Sequence, residues 1–310
     1  MQRALVFPGQ GAQYVGQGKG FAEQFPEARS VFESADAILG FELSKICFEG
    51  PEDELNRTDI CQPAILATSW AIVTTLLERG RMRREDFDAT CGLSLGEYTA
   101  LVFAGALELE DALRLVRKRG QFMQEASEAK PSGMSSLMGL EREQAEAVCR
   151  EASSAGIVQV ANLNSPGQIV ISGELAALDR ADELAKEAGA RRAIRLKVAG
   201  AFHSPVMAPA AEKLRAALAD VTIRPPELKL LTNVTGDFVS DPEEIRRSLA
   251  EQILRPVLWE DTMRRCVASG LKALVEPGPN KVLQGLMRKI DSGVETKGID
   301  DPGAVASFSV

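Results

Sequence analysis

The chain opens with a short apolar run, Ala4 to Phe7, that reads as a strand. It stops at Pro8-Gly9-Gln10-Gly11, a turn whose glycines free the backbone from extended geometry. Helical spacing of apolar positions then dominates to about Leu77. The longest uncharged stretch, Ala64 to Leu77, is shorter than the roughly 20 apolar residues of a spanning helix, so it reads as a buried helix and no membrane is expected as a partner. After a polar loop at Arg79 to Asp86, the segment Asp88 to Cys91 is a short strand. Leu95 to Phe103 switches to helical spacing, with Glu97 in the first turn, where a carboxylate suits the helix dipole. Asp111 to Met123 continues as a helix with a basic face.

Around Pro131 and Gly133 the texture changes. The pattern predicts a strand (Met134 to Leu140), a helix (Glu141 to Ala155) and a hairpin, Val158 to Ala161 with Gln168 to Ser172, around Asn164-Ser165-Pro166-Gly167. A helix (Leu175 to Ala188) and a strand (Ala193 to Val198) follow, which gives βαββαβ, the ferredoxin-like arrangement. Helix and strand patterns resume after His203, so the simplest architecture is an α/β fold with a large domain, 1–130 and 199–310, interrupted by a small domain, 131–198.

The 310 residues leave room for two such units. With 45% hydrophobic and 26% charged residues, disordered and fibrous classes are excluded. The net charge of −8, from 36 Lys and Arg against 44 Asp and Glu, repels polyanions and argues against nucleic acid. Cys47, Cys61, Cys91, Cys149 and Cys266 are scattered without a CxxC pair, so they read as buried thiols rather than disulfides or zinc ligands. The first ten residues lack the apolar length of a secretion signal, and the cytoplasm is the expected compartment. There is one histidine, His203, so a cluster of His ligands is impossible and any imidazole base must be this residue.

Gly92-Leu93-Ser94-Leu95-Gly96 fits G-x-S-x-G, the strand-to-helix elbow that exposes a serine hydroxyl, and it lies between a predicted strand and a predicted helix. At the helix start, Ser94 has backbone N–H groups near it that can stabilise an oxyanion. Its base would be His203, in the small-residue loop Ala199 to Pro205. Among Arg114, Arg117, Lys118 and Arg119, one buried arginine could grip a carboxylate through its planar fork, and spacing alone does not choose which. Gly9-Gln10-Gly11 has Tyr14 where a dinucleotide fingerprint needs Gly, and no Walker A sequence occurs, so no nucleotide cofactor is expected. The turn can instead present a second N–H beside Ser94.

Together these residues resemble the malonyl-CoA:acyl carrier protein transacylases of fatty acid and polyketide synthesis. The resemblance rests on seven segments in order: Phe7–Gln13, Gly92–Tyr98, Arg119-Gly120, Asn162–Gly173, Gly200–Pro205, Gln252–Trp259 and Glu276–Leu283. It implies a large α/β-hydrolase-like domain with an inserted ferredoxin-like one and the site between them. It also implies Ser94 as nucleophile, His203 as base, the N–H groups of Gln10 and Leu95 as oxyanion hole, and Arg119 as partner of the malonyl carboxylate. The imidazole would be oriented by the carbonyl of Gln252, and Asn164 would support the site. Leu93 stands where the family's elbow commonly has His, while Phe202 matches the malonyl-selective form of its segment. The implied partners are malonyl-CoA and acyl carrier protein, with no metal or cofactor and a monomeric chain. An acidic carrier would dock on local cations, for which Arg114, Arg117, Lys118, Arg191 and Arg192 are candidates. Two rivals are a serine esterase, whose acid would be Asp111, Asp179 or Asp182, and a catalytically silent carrier-binding module.

Overall fold

The computed structural model describes residues 1–310. Ten strands form: β1 (Arg3–Phe7), β2 (Ala89–Gly92), β3 (Ser132–Met138), β4 (Val158–Ser165), β5 (Gln168–Glu174), β6 (Arg192–Arg195), β7 (Lys229–Leu231), β8 (Phe238–Val239), β9 (Ala273–Pro277) and β10 (Glu295–Ile299). They make two separate sheets in a mixed α/β architecture. The six-stranded sheet runs β10-β9-β1-β2-β7-β8, parallel except for β8, and the four-stranded sheet runs β4-β5-β3-β6 and is antiparallel.

The parallel strands are apolar on both faces because helices cover both sides, which is why Ala4 to Phe7 is uninterrupted by polar residues and fully buried. The apolar helix read at Ala64 to Leu77 runs from Thr58 to Glu78 and meets that sheet as a core helix, with Ile65, Leu66, Ala67 and Ile72 buried. The helix read at Asp111 to Met123 is longer at both ends, Leu109–Ala129, and packs against it. Gly120 makes the approach possible, since a Cβ there would lie 2.5 Å from the Thr58 carbonyl oxygen. The four-stranded sheet has its own interior, built from Leu137, Leu163, Ile171 and the helix residues Val148, Leu178 and Leu184.

Three local readings shift. The hairpin turn tightens to Pro166-Gly167, with Gly167 at φ 67°, because the strands continue to Ser165 and from Gln168. Asn164 therefore lies within β4, at a register shift between Leu163 and Ser165, rather than in a loop. The strand read to Val198 ends at Arg195, because the chain must turn there to bring Leu196 and Val198 to a cavity wall and His203 beyond them. Finally, β4 is joined to the segment after Gln252: Leu163 N–H donates to Val257 O (2.9 Å) and Val257 N–H to Ala161 O (2.8 Å).

Candidate active site

The end of β2 and the helix Gly96–Phe103 are brought together by glycines. A Cβ on Gly92 would sit 1.9 Å from the Gly96 carbonyl carbon, and one on Gly96 would sit 2.1 Å from the Phe7 oxygen. Between them Ser94 adopts φ 52°, a left-handed conformation that a non-glycine residue holds only when its surroundings enforce it. The enforcement is visible: Ser94 N–H donates to Asn233 Oδ1 at 2.5 Å, and Ser94 O accepts from Gln252 Nε2 at 3.0 Å.

His203, also left-handed at φ 58°, is buried beside it with Nε2 2.9 Å from Ser94 Oγ. Its Nδ1 lies 2.7 Å from the Gln252 backbone oxygen. A carbonyl only accepts, so in the neutral ring Nδ1 carries the proton and Nε2 presents a lone pair to the serine hydroxyl. Burial, and secondarily the charge of Arg119, lowers the imidazole to about 4, which keeps it neutral and able to accept a proton. The loop is held from β4, where Gln159 Nε2 donates to both His203 O (2.7 Å) and Leu254 O (2.9 Å).

Of the four basic helix residues, Arg119 is the buried one, 1% exposed. Its Nη1 donates to Gln62 Oε1 (2.7 Å), and its Nη2 donates to Ser94 Oγ (3.0 Å) and Gln252 Oε1 (2.9 Å). Nε has no acceptor. Burial lowers the pKa of the guanidinium from the ordinary arginine value. Arg117 is bound up differently, since it pairs with the buried Asp59 at 2.7 Å and stacks on Phe41, so it is not a free docking cation. Arg114 is likewise engaged, by Glu110 and the Ile38 carbonyl. Lys118, Arg191 and Arg192 are exposed and without a carboxylate partner.

Above Ser94 and His203 opens a cavity of about 200 Å³, walled by Gln10, Leu93, Met123, Met134, Phe202 and the β4 residues Asn162 and Asn164. Asn164 Oδ1 is buried without a partner there. The backbone N–H groups of Gln10 and Leu95 donate to no acceptor within the protein. None of the acids considered for an esterase triad reaches the imidazole, whose Nδ1 position is taken by the Gln252 carbonyl, and Asp179 and Asp182 pair with Arg195 on the surface.

Four residues of the site carry no signal that periodicity or motif spacing could find: Gln62, Gln159, Asn233 and Asn162. Each is placed by long-range packing. Glu97 is visible in the sequence only as a first-turn acid, yet it is fully buried and bonded to Asn233 and Gln252 rather than serving the helix end.

Residues 4–299 match the family model described as acyl transferase domain. A malonyl CoA-acyl carrier protein transacylase of Bacillus subtilis (strain 168) is 43% identical over 97% of this chain and 94% of its own length. The chain belongs to the malonyl-CoA:acyl carrier protein transacylase family. The transacylase of Escherichia coli (strain K12) is 38% identical over 99% of this chain and 98% of its own. Among solved structures, an acyl-carrier-protein S-malonyltransferase from Bartonella henselae superposes with TM-score 0.96 at 40% identity, covering 99% of this chain and 98% of that one. A malonyl-transacylase solved in complex with a type II polyketide acyl carrier protein superposes at 0.95, with 37% identity and 99% coverage of both chains.

Proposed function

We propose that the chain transfers a malonyl group from malonyl-CoA to the thiol of acyl carrier protein, in fatty acid or polyketide synthesis, by way of a seryl ester on Ser94. As Ser94 Oγ attacks the thioester carbonyl, its proton passes to His203 Nε2 and the carbonyl oxygen becomes an oxyanion facing Gln10 N–H and Leu95 N–H. The C–S bond breaks, and the same proton goes to the departing sulfur as CoA-SH. In the second half the carrier thiol gives its proton to Nε2, its sulfur attacks the ester, and Ser94 recovers its hydrogen. Gln252 O holds the imidazole in the productive tautomer throughout.

The observation that carries the malonyl reading is Arg119, a buried guanidinium 3.0 Å from the nucleophile. A site for uncharged acyl groups gains nothing from such a charge, whereas a carboxylate that takes over the Nη2 hydrogen now on Ser94 Oγ can pair with it and the unpartnered Nε in a bidentate fork. Asn164 Oδ1, equally without a partner, supports the bound acyl group from β4.

In this reading the large α/β-hydrolase-like domain is formed by 1–130 and 199–310. The ferredoxin-like domain is 131–198, whose strand order β4-β5-β3-β6 fits that arrangement. Cytoplasmic residence rests on the five cysteines, all buried free thiols. The test is mass spectrometry after mixing with malonyl-CoA. One malonyl increment is expected on the peptide holding Ser94, and none on Ser94→Ala. An adduct on another residue, or none on the wild type, overturns the reading.

A further inference from the structure

Glu97 is a carboxylate with no access to water, and the acyl transfer steps above do not use it. Its Oε2 accepts from Asn233 N–H (2.9 Å) and from Gln252 Nε2 (2.9 Å), while its Oε1 has no partner. Burying a carboxylate is costly unless its bonds do something that an apolar residue of the same shape would not. The two residues it holds are the two that grip Ser94. Asn233 takes the Ser94 N–H on Oδ1 and donates from Nδ2 to the Gly92 oxygen (2.7 Å), and Gln252 Nε2 donates to the Ser94 oxygen. The other end of the Gln252 amide, Oε1, receives Arg119 Nη2.

We propose that Glu97 is a positioning residue: by anchoring Asn233 and the Gln252 side chain, it holds the left-handed backbone of Ser94 and the guanidinium of Arg119 in register with each other. Burial raises the Glu97 carboxyl to about 7, and Oε2 accepts in either protonation state so long as the proton sits on the unpartnered Oε1, so it can receive both donors. The interposed amide matters equally. A carboxylate in direct contact with Arg119 would occupy the fork that the substrate needs, whereas Glu97 acts one amide away and leaves Nε, together with the Nη2 hydrogen now given to Ser94 Oγ, for an incoming acid. Glu97 touches neither the substrate path nor the reacting atoms.

The proposal rests on the transferase reading, and the experiment separates the two. Acylation by malonyl-CoA and by acetyl-CoA is followed in single turnover for wild type, Glu97→Ala and Glu97→Gln, with thermal unfolding of each. In folded Glu97→Ala, acylation by both donors should slow by about tenfold or more as Ser94 loses its hold, and the malonyl-to-acetyl ratio of kcat/KM should fall a further several-fold as Arg119 loses its anchor. Glu97→Gln keeps an acceptor oxygen in place and should recover most of both losses. If Glu97→Ala melts earlier but retains the wild-type rate and ratio per folded molecule, Glu97 is merely structural and the proposal fails. Should Glu97→Ala not fold, the shorter Glu97→Asp, which withdraws the acceptor from Asn233 and Gln252, is cycled with Gln252→Leu. Non-additive effects on the ratio support coupling through the amide, and additive effects overturn it. A wild type that takes no malonyl group would instead sink the transferase reading itself.

Discussion

Arg117 and Arg119 stand two residues apart on one helix, on opposite faces. Arg117, partly exposed, closes on Asp59 and the Phe41 ring at the start of the neighbouring helix. Arg119 is sealed among Gln62, Gln252 and Ser94, with no carboxylate in contact. One cation has its anion built into the fold. The other is satisfied by neutral amides and a hydroxyl, a set that an incoming carboxylate can better. Where the counter-charge comes from would therefore separate a fold-holding arginine from the substrate-holding one proposed for Arg119.

The sharpest way to break this contrast is Arg119→Ala. Malonyl transfer should lose roughly 3 to 5 kcal/mol of transition-state stabilisation, about 10²- to 5 × 10³-fold in kcat/KM, while acetyl transfer changes by less than about tenfold. Both donors slowing by one factor would remove Arg119 from the carboxylate site. The same variant should alter the pH profile. In wild type, His203 titrates near 4, so acylation falls as pH drops through that value and the imidazole becomes protonated. Without the guanidinium one of the two causes of the depression is gone, and the acid limb, read with acetyl-CoA, should move upward toward the ordinary imidazole range. An unmoved limb would leave burial as the whole cause.

Arg117→Ala should leave the malonyl-to-acetyl ratio alone and lower stability by roughly 1 to 3 kcal/mol, since Asp59 keeps only the more exposed Arg57, and thermal denaturation measures it. A shifted ratio would mean the two faces are not independent. The smallest effect is expected from Arg191→Glu with Arg192→Glu. These exposed cations flank a groove that shares Gln168 with the catalytic cavity, so the apparent KM for the carrier should rise several-fold with malonyl-CoA labelling unchanged. Equal damage to both half-reactions would exclude them as a docking surface.

What can be read from the chain alone follows the range of the forces involved. The elbow is legible because a strand, a tight turn and a helix are local, and Gly92 and Gly96 advertise the close approach. His203 is legible because the chain has no other imidazole. Arg119 cannot be told from Arg117 by periodicity, because the choice depends on which helix lies opposite each face. The docking role offered to Arg117 fails for that reason. Gln252 enters only through family resemblance, since a backbone carbonyl leaves no mark in sequence. Asn233 and Glu97, 136 positions apart yet bonded, cannot be paired by any spacing rule. The β6 reading overruns because Leu196 and Val198, which look extended, are apolar for the sake of the cavity and not of the sheet.

The paired hydrogen bonds between β4 and Val257 bear on how the enzyme breathes. They splice the antiparallel sheet to the strand of chain that leaves Gln252, five residues after the carbonyl that aims the imidazole. A hinge on that side would tear this splice and swing His203 off the serine. Admission of a long thioester arm and its later exchange for a carrier-borne one must therefore leave the proton-handling side as a fixed jaw.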